Sequence, residues 1–474
     1  MQRSEGRQPG IDRFLDVWHA RQDCRTHGPW SKPQRVFSGY VGALLGATQL
    51  RSGRILLPFA YWVGGRPTAP PTGANVTTVL YSDDGGANWH ATNTELTTPC
   101  YADYNGNNYG GIEPDVVELA DGRIWLMMRT QTGLLYESFS REGIQWTPAT
   151  PSRFRSGNGP VAFLRLPDGR LVMFWNNADL PSRVDGQGVY GARDELQAAI
   201  SPDDGDTWRG FRTVYRDPKR DLTPPRRGDR GTAYPDAEVA SDGSIVVTAG
   251  HGEPSGVVRF SPDWLSQTVA RDDFSGGLDS WSVFKHFGPA SGWWRDRVAG
   301  AELIDHPSLA ENKVLQLRRP DDKPGDGAIW NFPLGWKGRL KLRLMLRTGF
   351  GGGNISLNDR FFNPTDEAGE ANAMFRLQIP ANGTLTADSR LELDRWHDVT
   401  LQWNLDARTC SFSVDGKPAG TLSQHGRTLN GVCYLRLRST AESLDPAGFL
   451  VDSVSVEIDD PVAPSSSAAA KQSP

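Results

Sequence analysis

Two stretches of this chain place carboxylates beside an indole. They read YSDDGGANWH (Tyr81–His90) and ISPDDGDTWR (Ile200–Arg209). Both fill the pattern Ser, x, Asp, x, Gly, x, x, Trp, with Ser82, Asp84, Gly86 and Trp89 in the first and Ser201, Asp203, Gly205 and Trp208 in the second. An acid next to a flat aromatic face is equipment for holding a sugar. The same residues also build a turn, because Asp in a Gly-rich segment accepts hydrogen bonds from nearby backbone N–H groups. The turn is the expected role of Asp84, Asp203, Trp89 and Trp208, so the chemistry has to be sought elsewhere. A degenerate copy, ESFSREGIQW (Glu137–Trp146), is one residue shorter and has Glu142 at the acidic place.

Other polar clusters compete for attention. The loop TPCYADYNGNNYGG (Thr98–Gly111) sets Tyr101, Tyr104 and Tyr109 among asparagines, a mixture of aromatic faces and amide donors suited to sugar rings. FWNNADLPSR (Phe174–Arg183) offers Asn176 and Asn177 in the same way. RDPKRDLTPPRRGDRGTAY is a charged loop leading to Tyr234; it is read as solvated, with Arg227 and Arg230 as cations for an anionic ligand in the other reading.

The elements that must position these residues are short strands. The chain has 474 residues, which favours two domains over one core. Its 52 Gly, 33 Pro and 16 Trp suit many strands joined by tight turns. Four segments repeat one unit: QLRSGRILLPF (Gln49–Phe59), ELADGRIWLMM (Glu118–Met128), RLPDGRLVMFW (Arg165–Trp175) and VASDGSIVVTA (Val239–Ala249). Each is a strand, a D-G or S-G turn and a second strand, with Gly supplying the positive φ of the turn. A third strand and an Asp-rich turn follow three of the copies. A four-stranded meander repeated in this way predicts a β-propeller of about five blades, within a range of four to six. The N-terminal segment and the strands after Tyr234 are expected to be two halves of one closing blade.

The register breaks near Trp264. Beyond it, alternating runs such as GRLKLRLMLRTG (Gly338–Gly349) and WHDVTLQWNLD (Trp396–Asp406) predict an antiparallel β-sandwich. Its tryptophans Trp293, Trp294, Trp330 and Trp336 are expected to fill the core, a sugar platform being the alternative. The predicted division is a propeller over 1–265, a sandwich over 266–460 and a disordered tail over 461–474. The four cysteines, Cys24, Cys100, Cys410 and Cys433, lack zinc-finger spacing. Cys410 and Cys433 sit on two neighbouring strand-like runs and are read as buried free thiols, with a disulfide as the alternative. A net charge of −5 with no basic stripe argues against nucleic acid. No apolar run spans a bilayer. The N-terminus does not read as a signal peptide, which leaves a cytoplasmic protein, or a secreted or periplasmic one whose leader has been removed. No metal or cofactor is expected, and the oligomeric state is open.

The Ser/Asp/Gly/Trp turns and D-G repeats resemble the Asp-boxes and BNR repeats of the sialidase superfamily over roughly residues 24–265. The sandwich resembles the concanavalin-like jelly rolls attached to carbohydrate-active enzymes, and that resemblance implies a sugar-binding module. In NYGGIEPDVVELADGRIWLMMRT, Glu113 precedes a strand and Arg129 ends the next one, sixteen positions on. By residue type alone these are a loop carboxylate and half of an ion pair. The resemblance implies more: Glu113 would be the partner of the nucleophile and Arg129 part of a carboxylate-binding clamp. Tyr234 stands eight residues before Asp242 of a D-G turn, as the family's catalytic tyrosine does, and Arg193 precedes a strand leading into an Asp-box. A neutral tyrosine nucleophile, deprotonated by a glutamate, avoids repulsion by the substrate carboxylate and is an exception to the two-carboxylate rule. Arginines would grip that carboxylate.

Two places depart from the family pattern. Ala43 stands where the first clamp arginine belongs, and Asn75 and threonines occupy the segment where the acid/base Asp is expected. Asp103, Asp229, Asp236 and His251 are the groups other blades offer in its stead. The implied substrate-binding set is therefore Arg129, Arg193, Tyr104, Asn176, Asp236 and His251, around the catalytic pair Tyr234 and Glu113. The expected function is an exo-glycoside hydrolase that releases a terminal acidic sugar from a glycan. The alternatives are a glycan-binding propeller without catalysis, and a lyase in which Tyr234 or His251 abstracts a proton beside a uronate carboxylate.

Overall fold

The structure is a computed structural model. It describes residues 2–4, 15–23, 25, 28–64, 73–99, 110–179, 192–223, 230–250, 255–291 and 294–462. Among these residues the fold is all-β, interrupted by 3-10 turns at Pro262–Ser266 and Glu367–Asn372.

Five separate antiparallel sheets make up the N-terminal half. The first holds β1 (Gln2–Ser4), β2 (Leu15–His19) and β3 (Gln34–Phe37). The second holds β4 (Thr48–Gln49), β5 (Ile55–Gly64), β6 (Gly73–Ser82) and β7 (His90–Ala91). The third holds β8 (Ile112–Glu118), β9 (Ile124–Arg129), β10 (Leu134–Ser140) and β11 (Thr150–Arg155). The fourth holds β12 (Ala162–Arg165), β13 (Leu171–Trp175), β14 (Glu195–Ser201) and β15 (Arg209–Arg216). The fifth holds β16 (Asp236–Val239), β17 (Ile245–Ala249) and β18 (Gly256–Phe260).

The repeated turns explain the meanders. Gly53, Gly122, Gly169 and Gly243 all have φ between 82 and 91°, a region that favours glycine. Each donates its N–H to the carbonyl three residues back, at 2.8 to 3.1 Å, which folds the second strand onto the first. The Asp-rich turns then aim the last strand. Asp203 accepts from Thr207 N at 2.8 Å and from Ser201 Oγ at 2.9 Å, and Asp84 makes the equivalent bonds with Asn88 N and Ser82 Oγ. Trp208 is fully buried, with Nε1 donating to Gly205 O. In the shorter copy, Gly143 N bonds Ser140 Oγ, while Glu142 contributes its backbone carbonyl to Arg54.

The first and fifth sheets, expected to be two halves of one closing blade, are not paired with each other among the described residues. Each is a sheet of its own, because each buries its apolar side elsewhere. Val17 of β2 packs with Phe59 and Leu80 of the second sheet. Ile245 and Val247 of β17 pack with Val172 and Ala198 of the fourth. The 3-10 turn after β18 completes that side, with Trp264 lying 4.2 Å from the Arg212 guanidinium.

The C-terminal half consists mainly of two larger sheets facing one another across a common core. One is eight-stranded and includes Lys337–Leu346, Trp396–Asn404, Thr409–Val414 and Asp445–Asp460. The other is five-stranded and includes Gly327–Gly335, Gly353–Asn358 and Val432–Ser439. Alternation sets the faces: Leu340, Leu342 and Leu344 enter the core while Arg339, Lys341 and Arg343 face solvent. Burying each such Leu contributes about 1.5–3 kcal/mol. Trp330 and Trp336 are core residues. Trp293 and the side chain of Trp294 lie outside the described residues. Cys410 and Cys433 are buried free thiols on strands of different sheets rather than on neighbouring ones.

The two halves are packed together. Trp208, Phe211 and Phe154 of the N-terminal half share a buried cluster with Phe284, Ile329, Phe361 and Tyr434 of the C-terminal half. Polar ties accompany it. Asn331 Nδ2 donates to Phe211 O at 2.9 Å, and Arg153 Nε donates to Asn430 Oδ1 at 2.7 Å.

Candidate active site

Three sheets converge on one half-buried tyrosine. β8 begins at Ile112, which pairs with Arg129 at the end of β9, and the register slips before Asp115. Within that bulge Glu113 has φ 51°. Tyr234, immediately before β16, has φ 61°. Left-handed backbone is costly for a residue with a Cβ, by about 1–3 kcal/mol, and persists where the surrounding structure dictates it. Both residues precede the same dipeptide, Pro114-Asp115 in one case and Pro235-Asp236 in the other. Glu113 also stands eight residues before Asp121, as Tyr234 does before Asp242. They therefore hold equivalent places in two repeats.

The side chains meet. Tyr234 OH donates to Glu113 Oε1 at 2.7 Å. Arg129 Nη1 donates to Glu113 Oε2 at 2.6 Å and lies 3.3 Å from Tyr234 OH. Arg129 Nε donates to Asn158 Oδ1 at 2.5 Å. Arg193 Nε donates to the Asn158 carbonyl at 2.6 Å, and its guanidinium lies 5.6 Å from the centre of the Tyr234 ring. Glu113, Arg129 and Arg193 are all buried. Burial first, then the Glu113 charge, pushes the Tyr234 phenol up to about 12, against the pull of Arg129 and Arg193. At neutral pH Tyr234 is therefore a neutral phenol hydrogen-bonded to Glu113.

The remaining sequence candidates divide. Asn176 is fully buried, and its Nδ2 donates to Glu195 O at 2.7 Å and Thr232 Oγ1 at 2.9 Å. Both of its amide hydrogens are taken up inside the fold, one by β14 and one by the segment that leads to Tyr234. Asn177 likewise turns away, donating to Asp359 O in the C-terminal half at 3.0 Å. Asp236 opens β16, is exposed and stands outside the Tyr234–Glu113–Arg129 set. Arg230 is no loose cation: its Nε pairs with Asp217 at 2.9 Å and both are buried. Tyr101, Tyr104, Tyr109, Asp103, Arg227, Asp229 and His251 lie outside the described residues.

Two residues were missed in the sequence. Asn158 joins the two arginines, one through its side chain and one through its carbonyl. Its signal was its position just before the first strand of the repeat between those carrying Glu113 and Tyr234. Asp115 is the other. Its Oδ2 accepts from Phe163 N at 2.8 Å, fastening β8 to β12. Burial, with a smaller push from Asp236, raises its pKa to about 6 despite the two backbone N–H groups it accepts. Among the described residues no group of His, Cys, Asp and Glu is arranged to hold a metal ion.

Comparison with known proteins agrees with the repeat assignment. Residues 17–247 match the family model of the BNR repeat-like domain. No curated protein matches the chain. Among solved structures, it is similar to a sialidase at 15% identity, covering 97% of this chain and 48% of that one, with a TM-score of 0.30. It therefore spans about half of that protein's length. Trypanosoma rangeli sialidase gives 15% identity, coverage of 94% and 76% and a TM-score of 0.33. The intramolecular trans-sialidase from Ruminococcus gnavus gives 17% identity, coverage of 54% and 52% and a TM-score of 0.36. The match of residues 17–247 to a BNR repeat-like domain agrees with the Asp-boxes and repeats read in the sequence.

Proposed function

We propose that this protein is an exo-acting glycoside hydrolase of sialidase type that releases a terminal acidic sugar, sialic acid or a related acid, from a glycan. One observation carries the proposal: the 2.7 Å hydrogen bond from Tyr234 to Glu113, with Arg129 and Arg193 beside it, built from separate sheets. Glu113 takes the phenol proton as the Tyr234 oxygen bonds to the anomeric carbon and the glycosidic bond breaks, the departing alkoxide taking its proton from a solvent water. A second water then attacks the anomeric carbon and breaks the tyrosyl–sugar bond, giving its proton to the hydroxide left by the first step, while Glu113 returns its proton to the phenolate. Arg193 serves as the carboxylate clamp. Arg129, already bonded to Glu113, steadies the couple and adds positive charge where the phenolate develops. In this proposal the five N-terminal sheets are blades of a propeller over 1–265. The two C-terminal sheets are a concanavalin-like sandwich over 266–460.

Product analysis tests the proposal. Incubation with sialylated and uronate-terminated glycans should release a reducing acidic monosaccharide. Tyr234→Phe should lower kcat about 10²–10⁴-fold while the fold is kept. An ultraviolet-absorbing unsaturated sugar would instead identify a lyase. Binding without turnover would identify a glycan-binding protein, a reading favoured by Ala43 and Asn75 at the two departures from the family pattern.

A further inference from the structure

Three consecutive charged residues, Arg193, Asp194 and Glu195, point their bonds to different places. Arg193 reaches the candidate site through Asn158. Asp194 receives Arg297 of the C-terminal half on both oxygens, Nη1 on Oδ1 and Nη2 on Oδ2 at 3.3 Å. Glu195 accepts from Ser282 Oγ at 2.8 Å and Tyr434 OH at 3.1 Å, also from that half, and from Arg216 and Thr213 of its own. All three of these acidic and basic residues are buried.

Arg297 is itself fixed. Its N–H donates to Thr223 Oγ1 at 2.9 Å, and that hydroxyl lies 3.1 Å from the Arg297 carbonyl. Its Nη1 also donates to Arg220 O at 3.2 Å, and its guanidinium lies 4.3 Å from the Phe284 ring centre. The backbone around Asp194 passes the constraint on. Asp217 N donates to Asp194 O at 3.0 Å, and Thr232 N donates to Arg193 O at 2.8 Å, two residues before Tyr234. Gly231 lies so close that a Cβ there would stand 2.6 Å from Arg193 O.

We infer that Arg297, contributed by the C-terminal half, is a positioning residue for the clamp arginine Arg193 and for the segment that presents Tyr234. The C-terminal half is then part of the site's support, whatever else it binds. A bidentate, buried guanidinium–carboxylate pair fixes both distance and orientation, and a displacement of about 1 Å at a charge-binding group is enough to cost up to ~10²-fold. The ligand-binding part of this inference rests on the proposed function; the positioning part does not.

The experiment uses the full chain and two readouts. Arg297→Gln, Arg297→Lys and Asp194→Asn are compared with Asn430→Ala, which breaks a different tie between the halves, that with Arg153. Calorimetry with N-acetylneuraminic acid and with glucuronic acid should show about tenfold weaker binding for Arg297→Gln and Asp194→Asn. Their double variant should be no weaker than the worse single, Arg297→Lys should fall between, and Asn430→Ala should match the parent. Hydrogen exchange at the Thr232 amide should become about tenfold faster in Arg297→Gln and remain at the parent rate in Asn430→Ala. If the parent binds neither acid, the proposed function falls and the Thr232 exchange alone decides the positioning role. Unchanged Thr232 exchange in both Arg297 variants, or equal acceleration by Asn430→Ala, overturns the inference. Should Arg297→Gln fail to fold, Arg297→Lys and Asp194→Asn carry both readouts.

Discussion

Replacing Glu113 by Gln should make Tyr234 more acidic and the protein less active. The phenol is pushed up to about 12, first by burial and second by the neighbouring Glu113 charge. That displacement from 10 corresponds to about 2.7 kcal/mol favouring the neutral phenol. Gln leaves the burial, removes the negative charge and leaves Arg129 and Arg193 unopposed beside the ring. The Tyr234 pKa should therefore fall below about 12. Turnover should still drop about 10²–10⁴-fold, because the amide cannot take the proton as the new bond forms. Losing one partner of the buried Arg129–Glu113 pair should also cost about 3–5 kcal/mol of stability. The assay is an ultraviolet titration of tyrosinate in the Glu113→Gln protein, with the Glu113→Gln/Tyr234→Phe double variant subtracted to isolate this one residue. A phenol that still titrates at about 12 would refute the electrostatic account, and parental activity would refute the role of Glu113 as base.

Other expectations follow from the frame. Burial raises the Glu137 carboxyl to about 7, against the indole N–H of Trp125 and the charge of Arg153. The folded chain thus holds a proton that the unfolded chain releases near 4.5, so stability should fall as pH rises from about 4.5 through 7. Glu137→Gln, which keeps an acceptor for Trp125, should be flat across that window and more stable than the parent at high pH by on the order of 3 kcal/mol, measured by urea unfolding. Gly231→Ala forces a Cβ to within 2.6 Å of Arg193 O at φ 125°, and should lower both thermal stability, by about 1–3 kcal/mol, and affinity for acidic sugars. Trp208→Ala empties a fully buried site in the cluster that both halves share and should cost about 3–5 kcal/mol in denaturant unfolding.

Local geometry was legible in the sequence, and convergence over distance was legible only in part. The D-G and S-G turns could be read because each needs a positive φ that Gly supplies cheaply. The Asp-boxes could be read because their bonds close within four residues of Asp84 or Asp203. Glu113 and Arg129 were singled out by a family resemblance and its spacing, and the strand pairing of Ile112 with Arg129 explains why residues at that spacing lie side by side. Asn158 and Arg297 were not found, since their partners lie in other sheets and no local pattern announces them. The closing blade failed for a similar reason: strand content matched, but burial against different neighbours decided where each segment went. Asn176 looked like a ligand group because amides beside aromatics are ambiguous until burial is known. The Pro-Asp pair after both Glu113 and Tyr234 was in plain view and would have marked the two as equivalent positions.

The strand Asp445–Asp460 lies between Lys313–Arg319 and Lys337–Leu346, and it also receives Val269–Asp272. It occupies the middle of its sheet yet follows every other strand of that sheet in the chain. During synthesis from the N-terminus, the earlier strands leave the ribosome with their central partner still missing. The sheet cannot close until residue 460 has emerged, and Arg297 cannot settle against Asp194 before the half that carries it is assembled. The nascent chain must hold its apolar strands apart through that interval, so a pause or an early stop in translation would expose them to one another and to other chains.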